Sequence, residues 1–274
     1  LMVGGEFTAT DRAGRTLGHT IFEVKGLDLP PMSQFGPALK QVSLQLRAGE
    51  VLGIGGVAGN GQEELLATLS GERVSAPGTV LLHGQDIATL GPNERRRLGL
   101  QAAPEERLGH AAVPDMSLTE NTLLTGTVRR PLTRKGFLDM KAAKLFAEEI
   151  IRVFDVRTPG PHVAARALSG GNLQKYVIGR EVLQYPEVLI VNQPTWGVDA
   201  AAAAAIRQAL LDLAGKGAAV IVISQDLDEL MEIADQFCAL NEGRLSAPRP
   251  TEGLSIDEIG LMLGGAHGMQ EVAV

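Results

Sequence analysis

The sequence predicts an α/β fold in which helices cover both faces of a parallel β-sheet. Three short apolar runs have the continuous hydrophobicity of strands buried on both sides: VLGIG at 51–55, VLIV at 188–191 and AAVIVIS at 218–224. Helix-like segments follow these runs, and alternation of buried strands with helices is typical of a parallel sheet. With 274 residues, of which 45% are hydrophobic, the chain can bury a sizeable core.

Further strands are predicted from their alternation of apolar and polar residues. Residues 21–29 and 40–46 alternate as half-buried strands do, and 79–87 has the pattern of two strands joined by a turn at His83 and Gly84. The run FCALNEGR at 237–244 predicts a strand that ends in a turn.

Helices are predicted where apolar residues recur at helical spacing or where helix-forming residues dominate. These segments are 61–70, 141–156, the stretch after LSGGN, 200–214, DLDELMEIADQ at 226–236 and SIDEIGLMLGG at 255–265. In the last segment, Asp257 lies near the helix start and a glycine pair forms its stop.

The composition argues against nucleic-acid binding and membrane insertion. The formal net charge is -7, whereas binding to a nucleic-acid backbone requires clustered Lys and Arg. The one basic cluster, Arg95, Arg96 and Arg97, is interpreted as a solvated helix face. No apolar run approaches the roughly 18 residues of a membrane helix, which predicts a soluble chain that can dock onto a membrane partner.

Isolated Cys and His residues are interpreted as structural. Cys238 is the single cysteine and lies in the apolar run FCAL, so a buried packing role is expected. His83, His110 and His162 lack a second ligand at helical or hairpin spacing and are interpreted as surface or turn residues.

The stretch GVAGNGQEE at 56–64 has the layout of a phosphate-binding P-loop: a strand, a glycine-rich turn and then a helix. Gly56 and Gly61 have the spacing of G-x-x-x-x-G-K-[ST]. However, Gln62 stands where Lys belongs, and Glu63 stands where Ser or Thr belongs.

Three further motifs follow in order, and together they identify a family. LSGGN at 168–172 opens a helix, VLIVNQP at 188–194 leads into GVD at 197–199, and ISQD at 223–226 ends the next strand. From about residue 21 to 243 the sequence resembles the nucleotide-binding domain of ABC transporters. GVAGNGQEELL, PEERLGHAAVPDMSLTEN and NQPTWGVDA look most like the second domain of fused importer ATPases for nucleosides or simple sugars.

The resemblance implies a RecA-like P-loop NTPase core with a parallel sheet, an antiparallel β subdomain and an α-helical subdomain. The expected divisions are a tail of a preceding unit at 1–20, the β subdomain with the first part of the core at 21–104, the helical subdomain at 105–167, the second part of the core at 168–243, and a C-terminal extension at 244–274. The opening LMVGG recurs as LMLGG at 261–265, which is expected if two such units are fused in tandem. GGEF at 4–7 is also a diguanylate cyclase signature, but that domain places strands on both sides of it.

The resemblance also assigns roles to residues. Those expected to contact ATP are Phe35, which stacks on adenine or packs in the core, Gly56, Val57, Ala58, Gly59, Asn60, Gly61, Gln62, Glu63, Glu64 and the Q-loop residue Glu105. Glu63 is a candidate Mg²⁺ ligand. The signature comprises Leu168, Ser169, Gly170, Gly171 and Asn172, and it would bind the γ-phosphate held by another domain. Asp199 is the D-loop aspartate.

The departures from the family pattern fall on catalytic positions. Asn192 and Gln193 replace the Asp and Glu that hold Mg²⁺ and orient water, and Gln225 aligns with the switch histidine. Glu63 also brings a negative charge toward the phosphates. Two unit charges about 4 Å apart interact by roughly 4 kcal/mol at an effective dielectric of about 20, so ATP binding is expected to be weak. The glycine backbone can still attract anions.

The expected function is that of a catalytically degenerate ATP-binding domain of an ABC importer for nucleosides or simple sugars. Little or no hydrolysis is expected from this domain alone, because no general base or water-orienting carboxylate remains at its P-loop. Its intact LSGGN signature would instead complete the site of a partner domain in the same polypeptide. Transmembrane permease subunits are expected partners, at the cytoplasmic side of the cell membrane, and no nucleic acid. The alternatives are an ABC ATPase that hydrolyses ATP as a homodimer and a soluble ABC protein acting on nucleic acid or ribosomes, which the acidic charge disfavours.

Overall fold

A computed structural model describes residues 15–32 and 36–265. The strands, in chain order, are β1 (Thr20–Leu29), β2 (Leu39–Arg47), β3 (Val51–Gly55), β4 (Val80–Leu82), β5 (Gln85–Asp86), β6 (Leu100–Ala103), β7 (Thr133–Arg134), β8 (Phe137–Leu138), β9 (Val188–Asn192), β10 (Ala219–Ser224), β11 (Gln236–Asn241), β12 (Arg244–Leu245) and β13 (Arg249–Pro250). The α-helices are α1 (Gln62–Ser70), α2 (Pro92–Arg97), α3 (Leu118–Gly126), α4 (Met140–Val153), α5 (Gly170–Val182), α6 (Ala200–Gly215), α7 (Leu227–Ile233) and α8 (Ile256–Leu263).

The central sheet is parallel, with strand order β11-β3-β10-β9-β6, as its apolar strands predict. Strands β12 and β13 pair antiparallel with β11. The register places Ser224 opposite Gly55 and Ile223 opposite Asn192. The carboxyl ends of β3, β9 and β10 therefore lie side by side, and open α/β sheets bind their ligands next to the carboxyl ends of their strands.

A second sheet, β2-β1-β4-β5, is antiparallel and packs over helix α1. Leu65, Leu66 and Leu69 of α1 lie in one core cluster with side chains of both sheets. Every residue of α1 except Glu63 is buried. The helix is thus fixed between two sheets, and only Glu63 projects to solvent at its first turn.

Helices α3, α4 and α5 form the helical part of the fold. Phe146 and Ile150 of α4 pack with Tyr176 and Val177 of α5 in the second core cluster. The fold class predicted from the sequence is confirmed: a parallel P-loop-type core, an antiparallel β subdomain and a helical subdomain.

Several boundaries differ from the sequence prediction. Helix α4 ends at Val153 rather than 156, and α7 ends at Ile233 because β11 already begins at Gln236. No element is predicted for β6, α3 or the β7–β8 hairpin, and α2 is anticipated only through the basic cluster at 95–97. Strand β6 has only four residues, so its pairing with β9 defines it better than its composition does.

The interpretation of the Arg95 cluster as a solvated face is wrong for Arg95, which is 0% exposed. Its guanidinium donates hydrogen bonds to the backbone carbonyls of Thr68, Leu69, Ala88 and Leu90. Burial lowers the Arg95 pKa to about 10.

The remaining single-residue interpretations agree with the structure. Cys238 is buried, and desolvation raises its pKa to about 12. His83, His110 and His162 are exposed and lie in turns. Among the described residues, no helix is long and apolar enough to cross a membrane.

Candidate functional site

The glycine-rich loop is closed by its own glutamine. Gln62, at the start of α1, accepts a hydrogen bond from the Asn60 backbone N–H through Oε1 (3.0 Å), and its Nε2 donates to the Val57 carbonyl (2.9 Å). A Cβ at Gly56 would come within 2.6 Å of the Leu240 carbonyl oxygen and 2.7 Å of Gln62 Nε2, so position 56 requires glycine. The residue that replaces the phosphate lysine therefore binds the loop backbone.

Asn60 ties the same loop to the turn after β11. Its Nδ2 donates to the Val57 carbonyl, and its Oδ1 accepts from the Glu242 backbone N–H, both at 2.8 Å. The Gly243 N–H donates to the Asn60 carbonyl at 2.9 Å. The loop shape is thus held by neutral hydrogen bonds, while Val57, Ala58 and Gly59 remain exposed.

Glu63 and Glu105 face one groove of about 580 Å³, whose other lining includes Arg107, Gly170 and Trp196. Partial burial raises the pKa of Glu105, and the Glu63 carboxylate raises it further, while Arg107 opposes both effects. The structure thus brings together the first turn of α1, the predicted Q-loop residue and the signature region.

Asn192 is the last residue of strand β9 and Gln193 follows it, at the carboxyl end of the parallel strands. Asn192 is buried, and its Oδ1 has no hydrogen-bond partner among the described residues. Gln193 has a φ of 51°, a left-handed conformation that is uncommon for a glutamine and concentrates at functional sites. Its Oε1 lies 3.5 Å from both Ser224 Oγ and the Gln225 backbone N. Gln193 and Gln225 line a second groove of about 300 Å³.

Glu229 is a buried acidic residue beneath Gln193 and Gln225, and no sequence motif indicates it. Ser224 Oγ donates to Glu229 Oε2 at 2.8 Å, and burial raises the pKa of the glutamate. The Asp226 N–H donates to the same Ser224 hydroxyl at 3.1 Å. Glu229 therefore orders the segment that carries Gln225.

The signature motif opens helix α5 without capping it. Ser169 occupies the N-cap position, but its side chain accepts no hydrogen bond from the helix backbone. Its Oγ instead accepts a hydrogen bond from Asn172 Nδ2 at 2.9 Å, and Asn172 Oδ1 accepts from the Arg157 N–H at 2.8 Å. Since Ser169 and Gly170 are exposed, the first N–H groups of α5 face solvent without a side-chain acceptor, which suits an anion.

Arg107 joins the Q-loop segment to the signature helix, although the sequence analysis did not single it out within PEER. Its Nε donates to Gln174 Oε1 of α5 at 2.7 Å, and a terminal nitrogen donates to the Trp196 carbonyl. A Cβ at Gly170 would lie 2.8 Å from its guanidinium. Burial lowers the Arg107 pKa, whereas Glu105 raises it.

The remaining predicted site residues occupy defined positions. Asp199 caps α6, where its Oδ1 accepts the Ala202 N–H at 2.9 Å. Leu168 precedes the α5 N-cap and lines the groove that contains Glu63. Glu64 is buried in α1, and Gly171 is partly buried near Val198. The candidate adenine-stacking residue Phe35 and the repeat LMVGG lie outside the described residues.

The site fits a phosphate group by backbone shape rather than by charge. The N-terminus of α1 lacks a side-chain cap, and space is open beside Gly59. However, residues 56–64 contain no Lys or Arg, and Glu63 adds a negative charge. The unpaired Asn192 Oδ1 is an acceptor that a metal-bound water could satisfy. Fold and site together define a domain of the P-loop NTPase class.

The comparisons with known proteins identify the family within that class. The family model described as ABC transporter matches residues 39–196. The chain is 34% identical over 267 residues to the guanosine import ATP-binding protein NupO of Bacillus subtilis, covering 97% of this chain and 52% of that protein. The chain therefore belongs to the ABC transporter family.

Other relatives import different compounds. The nucleoside import ATP-binding protein NupA of Lactococcus lactis is 35% identical, covering 97% of this chain and 53% of that protein. The ribose import ATP-binding protein RbsA 1 of Rubrobacter xylanophilus is 34% identical, with 91% and 49% covered. The chain spans about half the length of these curated relatives.

Solved structures confirm the fold. An ATP-binding subunit of an ABC transporter superposes with a TM-score of 0.72 at 22% identity, covering 89% of this chain and all of that chain. An ATP-binding cassette solved as a dimer bound to ADP and phosphate gives a TM-score of 0.71 at 20% identity, with 85% and 100% covered.

Proposed function

We propose that this chain is an ATP-binding domain of an ABC importer for nucleosides or simple sugars, and that its own P-loop site is degenerate. Its LSGGN signature would complete the ATPase site of a partner domain. The observation that carries the proposal is the contrast between the first turn of α1 and the N-terminal end of α5, where Glu63 and Gly170 line one groove. Gln62 and Glu63 in α1 leave the phosphate loop without a cationic residue, whereas the N-terminus of α5 at Ser169 is open.

The altered positions account for a silent site in chemical terms. Gln193 and Gln225 are neutral amides, so neither can take a proton from an attacking water at neutral pH. Glu229 is a carboxylate, but it lies buried beneath Ser224 and accepts the hydrogen bond of that hydroxyl. ATP with Mg²⁺ would supply the transferable phosphoryl group, and this chain would bind it weakly through residues 56–64, Glu105 and Asn192.

The partner is inferred to be a second nucleotide-binding domain in the same polypeptide, with this chain as the C-terminal one. The chain matches relatives along about half of their length, which supports this arrangement. The recurrence of LMVGG as LMLGG at the end of helix α8 supports it as well. The division at residues 20, 104, 167 and 243 belongs to the same proposal. Permease subunits would hold the assembly at the cytoplasmic side of the membrane, and nucleic acid would not be a ligand.

The test is a calorimetric titration of the purified chain with ATP, with and without Mg²⁺, together with a turnover assay. We expect weak saturable binding, and little or no turnover, which Gln193→Ala leaves unchanged. Robust turnover that Gln193→Ala abolishes would show instead that this chain hydrolyses ATP by itself, as a homodimer would.

A further inference from the structure

The β7–β8 hairpin between α3 and α4 presents a basic and apolar tip that the proposed function does not use. Lys135 and Gly136 form its turn with φ values of 52° and 83°, and Arg134 pairs with Phe137 across the two strands. Two consecutive residues with positive φ are typical of a tight hairpin turn, which fixes the direction of the flanking side chains. Leu132, just before the hairpin, is buried and anchors it to the helical subdomain.

Three large apolar side chains at the tip are exposed to solvent. Phe137 is 79% exposed, Leu138 55% and Met140 45%. All three lie within four residues of one another, so the short hairpin and the start of α4 present them close together in space. Clusters of exposed apolar side chains rimmed by polar residues mark interaction sites.

The charge of this segment is opposite to that of the chain. Residues 129–145 contain six of the 25 Lys and Arg residues and only one of the 32 acidic residues, whereas the whole chain has a net charge of -7. Arg130 is paired with Glu149, and Lys144 lies 3.7 Å from Glu148. Arg134, Lys135 and Lys141 are exposed and form no ion pair within the described part of the chain. We define Arg134, Lys135, Phe137, Leu138, Met140 and Lys141 as the hairpin patch.

We propose that the hairpin patch binds the surface of a membrane that contains anionic lipids. Cations attract the headgroups, and each Lys or Arg near such a surface strengthens binding by about fivefold, as follows from roughly 1 kcal/mol per residue. Phe137 and Leu138 enter the boundary between headgroups and acyl chains, as apolar residues beside cations do in interfacial segments. This contact would come from the chain itself, and it does not rest on the nucleotide role proposed above.

The test is sedimentation of the purified chain with vesicles of phosphatidylcholine alone or mixed with phosphatidylglycerol. We expect binding only to the mixed vesicles, and loss of that binding in high salt. The double change Arg134→Gln and Lys135→Gln should weaken vesicle partitioning by about 25-fold. Phe137→Ser should weaken it as well, because the aromatic anchor is lost.

Matched controls separate the patch from general surface properties. Arg97→Gln with Arg244→Gln removes the same charge from exposed positions outside the hairpin, and Ile256→Ser removes an apolar side chain that is 86% exposed on α8. Both control variants should bind as the parent does. The proposal would be overturned if the parent chain bound both vesicle types equally. It would also be overturned if the hairpin variants bound the mixed vesicles as well as the control variants do. Binding of single-stranded RNA without vesicle binding would also overturn it and assign the patch to nucleic acid.

Discussion

The first turn of α1, which directly follows the glycine-rich loop, and the N-terminal end of the signature helix line the same groove, but the loop and the signature helix are stabilised in different ways. Neutral hydrogen bonds within the loop, from Gln62 and Asn60, hold residues 56–61 in place. Buried charged side chains near the C-terminal end of α5 instead fix the signature helix. There Arg180 pairs with Glu181 and donates to the carbonyls of Asn121 and Ala111.

The difference shows how shape and chemistry separate in a binding surface. The loop keeps the backbone of a phosphate site while its side chains bind the loop itself, and the first turn of α1 is negative. The signature keeps an open helix N-terminus, and the helix is held by the buried charged side chains of Arg180 and Glu181. We therefore expect substitutions at the two regions to affect stability, ATP affinity and partner activity to different extents.

The largest effect is expected at the buried end of the signature helix. Arg180→Met should lower the free energy of unfolding by about 3–5 kcal/mol, because it leaves the Glu181 carboxylate buried without its cation. Urea denaturation of the purified chain measures this change. The control is Arg166→Met, which removes an exposed partner of Asp115 and should cost at most about 1 kcal/mol. Equal losses for the two variants would show that the Arg180 network does not fix α5.

A smaller effect is expected when the same substitution is made in both regions. Gly56→Ala should cost about 1–3 kcal/mol, because its Cβ meets the Leu240 carbonyl and Gln62. Gly171→Ala should be neutral or stabilising by up to about 1 kcal/mol, because its Cβ makes only ordinary contacts and alanine favours the helix. Thermal or urea unfolding distinguishes the two. A Gly56→Ala variant as stable as the parent would contradict the close packing of the loop.

Restoring the phosphate lysine tests whether charge or shape limits the loop. Gln62→Lys with Glu63→Thr should tighten ATP binding at least about tenfold, since hydrogen bonds to charged groups contribute roughly 1.5–3 kcal/mol. Calorimetry measures the affinity, and Gln62→Met provides a control of similar length without charge. If the double variant binds ATP no better than the parent, the loop is limited by its closed shape.

The smallest expected effect concerns Glu63 alone. Glu63→Gln should tighten ATP binding roughly two- to fivefold, as expected for an exposed charge. It should also alter the pH dependence of stability. Because the pKa of Glu105 is raised, the folded state binds its proton more tightly, so the free energy of unfolding falls as pH rises above 4.5. Removing the Glu63 charge should make this slope shallower, and an unchanged slope would leave burial as the only cause.

The sequence predicts the core of the fold well, because its strands are buried on both faces. VLGIG and VLIV are continuously apolar, as strands buried on both faces are. The glycine spacing of the loop predicts the path from strand through turn to helix that the structure shows. Short elements such as β6 and the β7–β8 hairpin depend on pairing partners, so composition alone does not define them.

Side-chain environments are less predictable than elements. Arg95 is buried because carbonyls from residues 68–69 and 88–90 converge on it, and no local pattern indicates that convergence. Similarly, the closure of the loop by Gln62 and the link from Arg107 to Gln174 depend on three-dimensional proximity. The departures from the family pattern at positions 62, 63, 192, 193 and 225 can be identified from the sequence, but the hydrogen-bond partners of these side chains cannot.

The ATPase activity of the intact polypeptide, which would contain this chain and its partner domain, tests directly whether the signature serves the working site. Ser169→Arg places a long cation at the open N-terminus of α5, and Gln62→Ala changes the loop. We expect at least about a hundredfold loss of turnover for Ser169→Arg, the size found when a transition-state donor is removed, and less than about a twofold change for Gln62→Ala. The reverse pattern would show that the glycine-rich loop of this chain is the working site.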